Sequence, residues 1–325
     1  MFVATAAWLY VLFTVALWIG LRVAGDRWWP ATLVLFGPRW VFVLPYLFLL
    51  PAAGLLRLRC SWGLVFGIGI TFFSLMGLCV PWRALLPGGH AGPRVRVLTC
   101  NTHGEELDTA AFARLIASEQ PDVVALQGWS AIQRSVLFGE GHWYILLDGE
   151  LCLASRSPVR KREELIAPRT SPRESAIYYD VDFPFGTVPI IDLHLASPHV
   201  SFLALLTQSP QGPVQVQANS ANRMEQSRRI GQRAEALGPS VLMLGDFNTP
   251  PDSPVFDEGW SAFTDAFTAA GFGFGYTYFE GGTAARIDHI MAGPAWRCRR
   301  SWVGPKVGSP HRPLLADIQW MAHSI

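Results

Sequence analysis

Asn101, Asp192, His194, Asp246, Asn248, Asp288 and His311 are the residues of this 325-residue chain whose types and placement suit catalysis. They stand in short polar stretches: Cys100-Asn101-Thr102-His103, Asp192-Leu193-His194, Gly245-Asp246-Phe247-Asn248, Arg286-Ile287-Asp288-His289 and Ser309-Pro310-His311-Arg312. Each stretch ends, lies within or leads into an apolar run. Carboxylates, amides and histidines that converge at strand ends suit metal-assisted hydrolysis of a phosphoester. A hard cation such as Mg²⁺ takes oxygen ligands from one or two carboxylates and from substrate phosphate, a carboxylate positions or deprotonates water, and a histidine stabilises developing charge. A glycine-and-phenylalanine loop, Gly271 to Gly275, lacks the lysine of a phosphate-cradling loop, and no GxSxG stretch is present. The five cysteines, Cys60, Cys79, Cys100, Cys152 and Cys298, show neither zinc-site spacing nor the density of a disulfide framework, and are expected as buried apolar residues.

The runs that must position these groups read as strands: Val95 to Leu98, Val123 to Leu126, Tyr144 to Leu147, Ala176 to Val181, Val188 to Leu195, Val241 to Leu244, Ile287 to Met291 and Leu314 to Ile318. Leu107 to Ser118 and Gln215 to Leu237 carry helical patterns. Many strands and few helices make this an α/β domain, with too few helices for a doubly wound sheet.

Residues 1–90 are of another kind. They hold six arginines and one acid, Asp26, leaving 20 basic and 24 acidic residues to the remainder. Phe2 to Leu21, Trp40 to Leu56 and Cys60 to Trp82 are uncharged runs of near-spanning length, with tryptophans at or near their ends. The expectation is a membrane anchor of three transmembrane helices over residues 1–83, a linker at 84–93 and a catalytic-type domain over 94–325. The first basic residue, Arg22, follows the first apolar run, so a cleavable signal peptide is not expected. Arg22, Arg27, Arg39 and Arg83 against Arg57 and Arg59 lean towards a cytoplasmic domain. The expected partners are a lipid bilayer and a phosphoester substrate, with no obligate protein partner evident. The mildly acidic domain has no basic field for sequence-blind nucleic-acid coating.

In order along residues 94–320, VLTCNTHG, PDVVALQ, LASRSP, DLHLASPH, LMLGDFNTPPDSP, RIDHI and GSPHRP resemble the endonuclease/exonuclease/phosphatase superfamily, which includes DNase I. The resemblance implies a four-layer α/β sandwich and hydrolysis of a phosphodiester or phosphomonoester with Mg²⁺ or Mn²⁺. It implies Asn101 near the metal, together with Asp246 and Asn248; His194 on the phosphate; Asp246 orienting the attacking water; Asn248 ordering that acid; and Asp288 supporting the catalytic His311. Two positions depart from the pattern. Gly128 stands where the family carries its principal metal-binding glutamate, and Pro310 where it commonly carries an aspartate. The alternative function is therefore a catalytically degenerate, membrane-tethered phosphate-binding or scaffold module.

Overall fold

The computed structural model describes residues 1–82, 92–129, 137–138, 142–166 and 174–321, so most of the expected linker lies outside the described residues. The N-terminal segment forms α1 (Phe2–Ala24), α2 (Trp29–Phe36), a 3-10 turn (Arg39–Val43), α3 (Leu44–Leu55) and α4 (Ser61–Gly69), which runs on as a π-helical turn (Ile70–Leu75). Among the described residues one helix, α1, is long and apolar enough to cross a membrane, with a mean hydropathy of 2.0 over its most apolar stretch. Three spans are not what these residues build. The helix over Arg39–Leu55 meets α2 at 87°, where Gly37 leaves the helical region and Pro38 cannot continue it. The third run stays helical only to Leu75. Gly77 then turns the chain at φ +74°, and Cys79 forms a backbone bridge with Gly273 of the following domain. Even with the bent pair counted as one span, the described residues offer at most two crossings, so three spans and the sidedness read from their loops are not supported.

From Arg94 to Trp320 the chain forms two six-stranded sheets. The first has the order β13 (Trp296–Val303), β14 (Leu314–Trp320), β1 (Arg94–Asn101), β2 (Val123–Gln127), β4 (Leu151–Ser155), β3 (Tyr144–Asp148). The second has the order β5 (Val159–Ile166), β6 (Ser175–Phe183), β7 (Gly186–His194), β8 (Leu242–Asp246), β12 (Asp288–Ala292), β9 (Thr264–Asp265). A small hairpin joins β10 (Tyr278–Glu280) to β11 (Thr283–Ala285). The helices are α5 (Thr109–Glu119), α6 (His199–Leu206), α7 (Gly212–Ala236), α8 (Pro254–Trp260) and α9 (Ala266–Ala270). All eight expected strands and both expected helices form.

The period of two along each strand divides its side chains between two layers. Val95 and Val97 of β1 and Val123 and Ala125 of β2 face Val188 and Ile190 of β7 and Leu242 and Leu244 of β8 in one central core. Their neighbours Leu98, Cys100, Val124 and Leu126 turn outward onto Phe112, Leu115 and Ile116 of α5. Ile191, Leu193 and Met243 turn the other way, onto Ile230 and Ala234 of α7 and Trp260 of α8. The result is helix, sheet, sheet, helix: the four-layer sandwich. Four of the five cysteines are buried, and all five are free.

The N-terminal segment is fastened to this sandwich through buried charge. Asp26, the only acid before residue 90, is paired at 2.6 Å with Arg223 of α7, and neither side chain is more than 1 % exposed. Ser220 and Ser253 also donate to Asp26. Arg39 pairs with Asp252 at 2.6 Å and donates to the Leu75 carbonyl.

Candidate active site

The same alternation that fills the core builds the site. Counting by twos from core residues on each strand, Val97 leads to Thr99 and Asn101, Ala125 to Gln127, Ile190 to Asp192 and His194, and Leu244 to Asp246. On β12, Ile290 leads back to Asp288. All these polar side chains therefore point between the sheets, at one end of the sandwich. Strand register aligns them: Asn101 opposite Gln127, His194 opposite Asp246, and Asp288 opposite Asp246.

Asp246 is the focus. Its Oδ2 accepts from Asn101 Nδ2 at 2.8 Å and lies 3.6 Å from His194 Nε2 and 3.8 Å from His311 Nε2. Its Oδ1 accepts the backbone N–H of Asn248 at 2.9 Å. Asn248 takes a left-handed φ of +47° and turns its own amide to the Leu195 carbonyl. It orders Asp246 through its backbone rather than its side chain. Behind His311, Asp288 Oδ2 holds Nδ1 at 2.8 Å. Ser309 donates to the Asn101 carbonyl and accepts from His311 N–H, tying the histidine loop to the end of β1. The six expected residues Asn101, His194, Asp246, Asn248, Asp288 and His311 thus come together, each at most 5 % exposed.

Burial and charge set the protonation. Burial raises the Asp246 carboxyl and Asp288 beside it raises it further, against His311, His194 and the Asn101 hydrogen bond. Burial works against the charged form of His311, but Asp288 and Asp246 outweigh it and carry its pKa up to about 9. His194 is also raised, because its hydrogen bond to Glu150 and the charges of Asp246 and Glu150 exceed the cost of burial.

Glu150 was not visible as a site residue. Its Oε1 lies 2.6 Å from His194 Nδ1. It sits in the two-residue turn between β3 and β4, where Gly149 supplies the positive φ such a turn favours. In sequence it is one more acid of a surface hairpin. The Gln127–Asp192 pair, 2.6 Å apart and fully buried, backs the site from β2 and β7. Arg156 stacks over Trp143 at 4.0 Å. His103 and Glu106 pair with each other in the exposed loop after β1. His289 is buried against the Thr249 carbonyl, and His199 is the exposed first residue of α6.

The structure explains why Gly128 is glycine. Its φ is +61°, and a Cβ built there would lie 2.8 Å from Asn101 Oδ1 and 3.2 Å from the His103 nitrogen. Asn101 occupies that space, its Oδ1 accepting from His103 N–H at 3.0 Å. Oxygen donors nevertheless remain for a cation. Asp246, Asp288 and His311 each bring one ligand atom within 4.8 Å of the others. Asp288 Oδ1 is buried without a hydrogen-bond partner among the described residues. An orphaned carboxylate oxygen beside a second buried carboxylate fits a divalent cation.

Residues 98–311, which carry every one of these groups, match the model of the Endonuclease/Exonuclease/phosphatase family. The chain belongs to that family. Solved structures of the same fold include the 3' phosphatase NExo from Neisseria bound to a product DNA hairpin, with 18 % identity, 70 % of this chain and 100 % of that one covered, and a TM-score of 0.55. Others are TDP2 from D. rerio in complex with single-strand DNA product, with 17 % identity, 70 % and 99 % covered and a TM-score of 0.51, and truncated TDP2 from Caenorhabditis elegans, with 16 % identity, 70 % and 98 % covered and a TM-score of 0.52. No curated protein matches the chain. At these identities the likeness is one of fold.

Proposed function

We propose that this chain is a membrane-anchored phosphoester hydrolase, held to the bilayer by α1 and working through Asp246, Asn248, His194, Asp288 and His311. The observation that carries the reading is the convergence on Asp246 of an amide, a backbone N–H and two buried histidines, each histidine backed by its own carboxylate. Asp246 in its charged form, fixed on both oxygens, accepts a proton from the attacking water. The water oxygen bonds to phosphorus as the ester P–O bond breaks, and His311, protonated at neutral pH, hands its Nε2 proton to the leaving oxygen. His194, held by Glu150, contacts a phosphate oxygen. Asp246, Asp288 Oδ1 and the side chains of Asn101 and Asn248 would hold Mg²⁺ or Mn²⁺, which supplies positive charge to the phosphate and lowers the pKa of water.

The test is hydrolysis of bis(p-nitrophenyl) phosphate by the full-length chain in detergent with Mg²⁺ or Mn²⁺. Turnover that falls by about a thousandfold in Asp246→Ala, and that chelator abolishes, supports the hydrolase. The closed position at Gly128 favours the second reading, a phosphate-binding module: retained binding of inorganic phosphate with no turnover under either cation would establish it.

A further inference from the structure

Three loops that leave the site run onto the N-terminal segment. After β8, the loop beginning at Asp246 carries Asp252 to Arg39 and Ser253 to Asp26. Before β12, the Tyr276 hydroxyl donates to the Met76 carbonyl at 3.0 Å, while the next residue, Thr277, accepts from the backbone N–H of Asp288. After β7, His194 is followed by Leu195-Ala196-Ser197-Pro198 and then by α6, whose Phe202 ring meets Phe36 of α2 edge-on at 5.4 Å. The site and the N-terminal segment share one end of the sandwich.

α6 reads HVSFLALL, and Val200, Leu203 and Leu206, three residues apart, form one stripe along it. They are 72 %, 53 % and 75 % exposed, and Val214 at the start of α7 is 66 % exposed. Ser201, across the helix, is buried. From Leu193 to Asn222 the chain has no Lys, Arg, Asp or Glu, an uncharged stretch in a domain otherwise rich in charge. The depth of α6 follows from its neighbour. α2 lies between Trp28 and Trp40, both more than half exposed, and indole rings so placed sit at the headgroup level of a bilayer. The outward face of α1 is apolar as well, with Leu9, Leu12, Ile19 and Val23 exposed. An uncovered apolar stripe that continues such a surface fits the headgroup boundary of the same bilayer.

We propose that α6 is an interfacial helix seated in the bilayer that holds α1, so that the site acts on phosphoesters in the headgroups of membrane amphiphiles. This rests on the hydrolase reading for its chemistry and on the anchor for its geometry. The reaction consumes one water: its oxygen joins phosphorus, one headgroup P–O bond breaks, and the released alcohol leaves with the proton from His311.

The full-length chain is reconstituted into vesicles of phosphatidylcholine, phosphatidylglycerol and sphingomyelin, and two quantities are read. The first is the seat of α6, from Leu203→Cys carrying an NBD fluorophore, against the unsubstituted chain as labelling background and Arg228→Cys on the exposed face of α7 as control. Quenching by doxyl lipids at position 203 and not at 228 is expected; equal, weak quenching at both overturns the seat. The second is turnover, as lipid cleavage followed by mass spectrometry beside hydrolysis of soluble bis(p-nitrophenyl) phosphate. In Val200→Asp/Leu203→Asp/Leu206→Asp, lipid cleavage is expected to fall about tenfold or more, while soluble turnover is unchanged. Loss of both marks a misfolded variant, and the label then decides. A wild type that cleaves the soluble diester and plasmid DNA but no vesicle lipid overturns the substrate class and leaves the hydrolase standing. A wild type inert on every probe overturns the hydrolase and the substrate class together.

Discussion

Replacing Asp288 by asparagine should move the alkaline limb of activity, and the size of the movement follows from the site. Asp288 holds His311 Nδ1 at 2.8 Å in a fully buried setting, and it is the largest influence raising the histidine to about 9. That rise corresponds to about 3 kcal/mol in favour of the imidazolium. Without the carboxylate, burial still disfavours the charge and only Asp246 and, more weakly, Glu280 oppose it, so the pKa returns to about 6.5 or lower. At pH 8 the protonated fraction then falls from about nine in ten to about three in a hundred, a loss of about thirtyfold in kcat/KM before any loss of ring orientation. The assay is kcat/KM for bis(p-nitrophenyl) phosphate against pH, for wild type and Asp288→Asn, with the cation fixed. A variant that is slower at every pH, with its alkaline limb still near 9, would refute the assignment of His311 as proton donor, because purely structural damage lowers the rate without moving the limb.

Gly128→Glu, which restores the family's residue, is expected to lower rather than raise turnover: the Cβ meets Asn101 Oδ1 at 2.8 Å and the φ of +61° costs about 1–2 kcal/mol. A fall in melting temperature with no gain in rate checks it. Arg223→Met leaves Asp26 buried and uncompensated and should cost about 3–5 kcal/mol by thermal unfolding in detergent, whereas the double variant Asp26→Leu/Arg223→Met recovers most of the loss. Asp265 is raised by burial but held well below the ordinary carboxylate range by Arg286 and His289. Its pairing therefore contributes stability in full above the usual value of about 4 and loses it as the pH falls towards the folded value. Asp265→Asn should destabilise the chain at pH 7 and converge with wild type in acid, and melting curves at both pH values test this.

What the sequence disclosed is what a period of two discloses. The alternation that marks Val95, Val97 and Ala125 as core also carries Asn101, His194, Asp246 and Asp288 into the same interlayer space, so their convergence is readable once the strands are. Contacts made from turns and across distant segments follow no period. Glu150 reaches His194 from a hairpin, and Asp26 reaches Arg223 across 197 residues. Arg223 stands seven residues from both Val216 and Ile230 on the buried face of its helix, while Arg228 and Arg229 are exposed, but no period in the sequence names Asp26 as its partner. The anchor was overread because apolar length was counted without the breaks: Gly37-Pro38 bends the middle run and Gly77 ends the third, and both interruptions act on backbone geometry rather than hydropathy.

The central claim is that this site adds water to phosphorus, and ¹⁸O tracing tests it most directly. The full-length chain is given bis(p-nitrophenyl) phosphate in H₂¹⁸O with Mg²⁺ or Mn²⁺, beside Asp246→Ala. One ¹⁸O in the phosphate product and none in the nitrophenol, with release absent from the variant, is the expected result. Label in the nitrophenol, or equal release by wild type and variant, would contradict it.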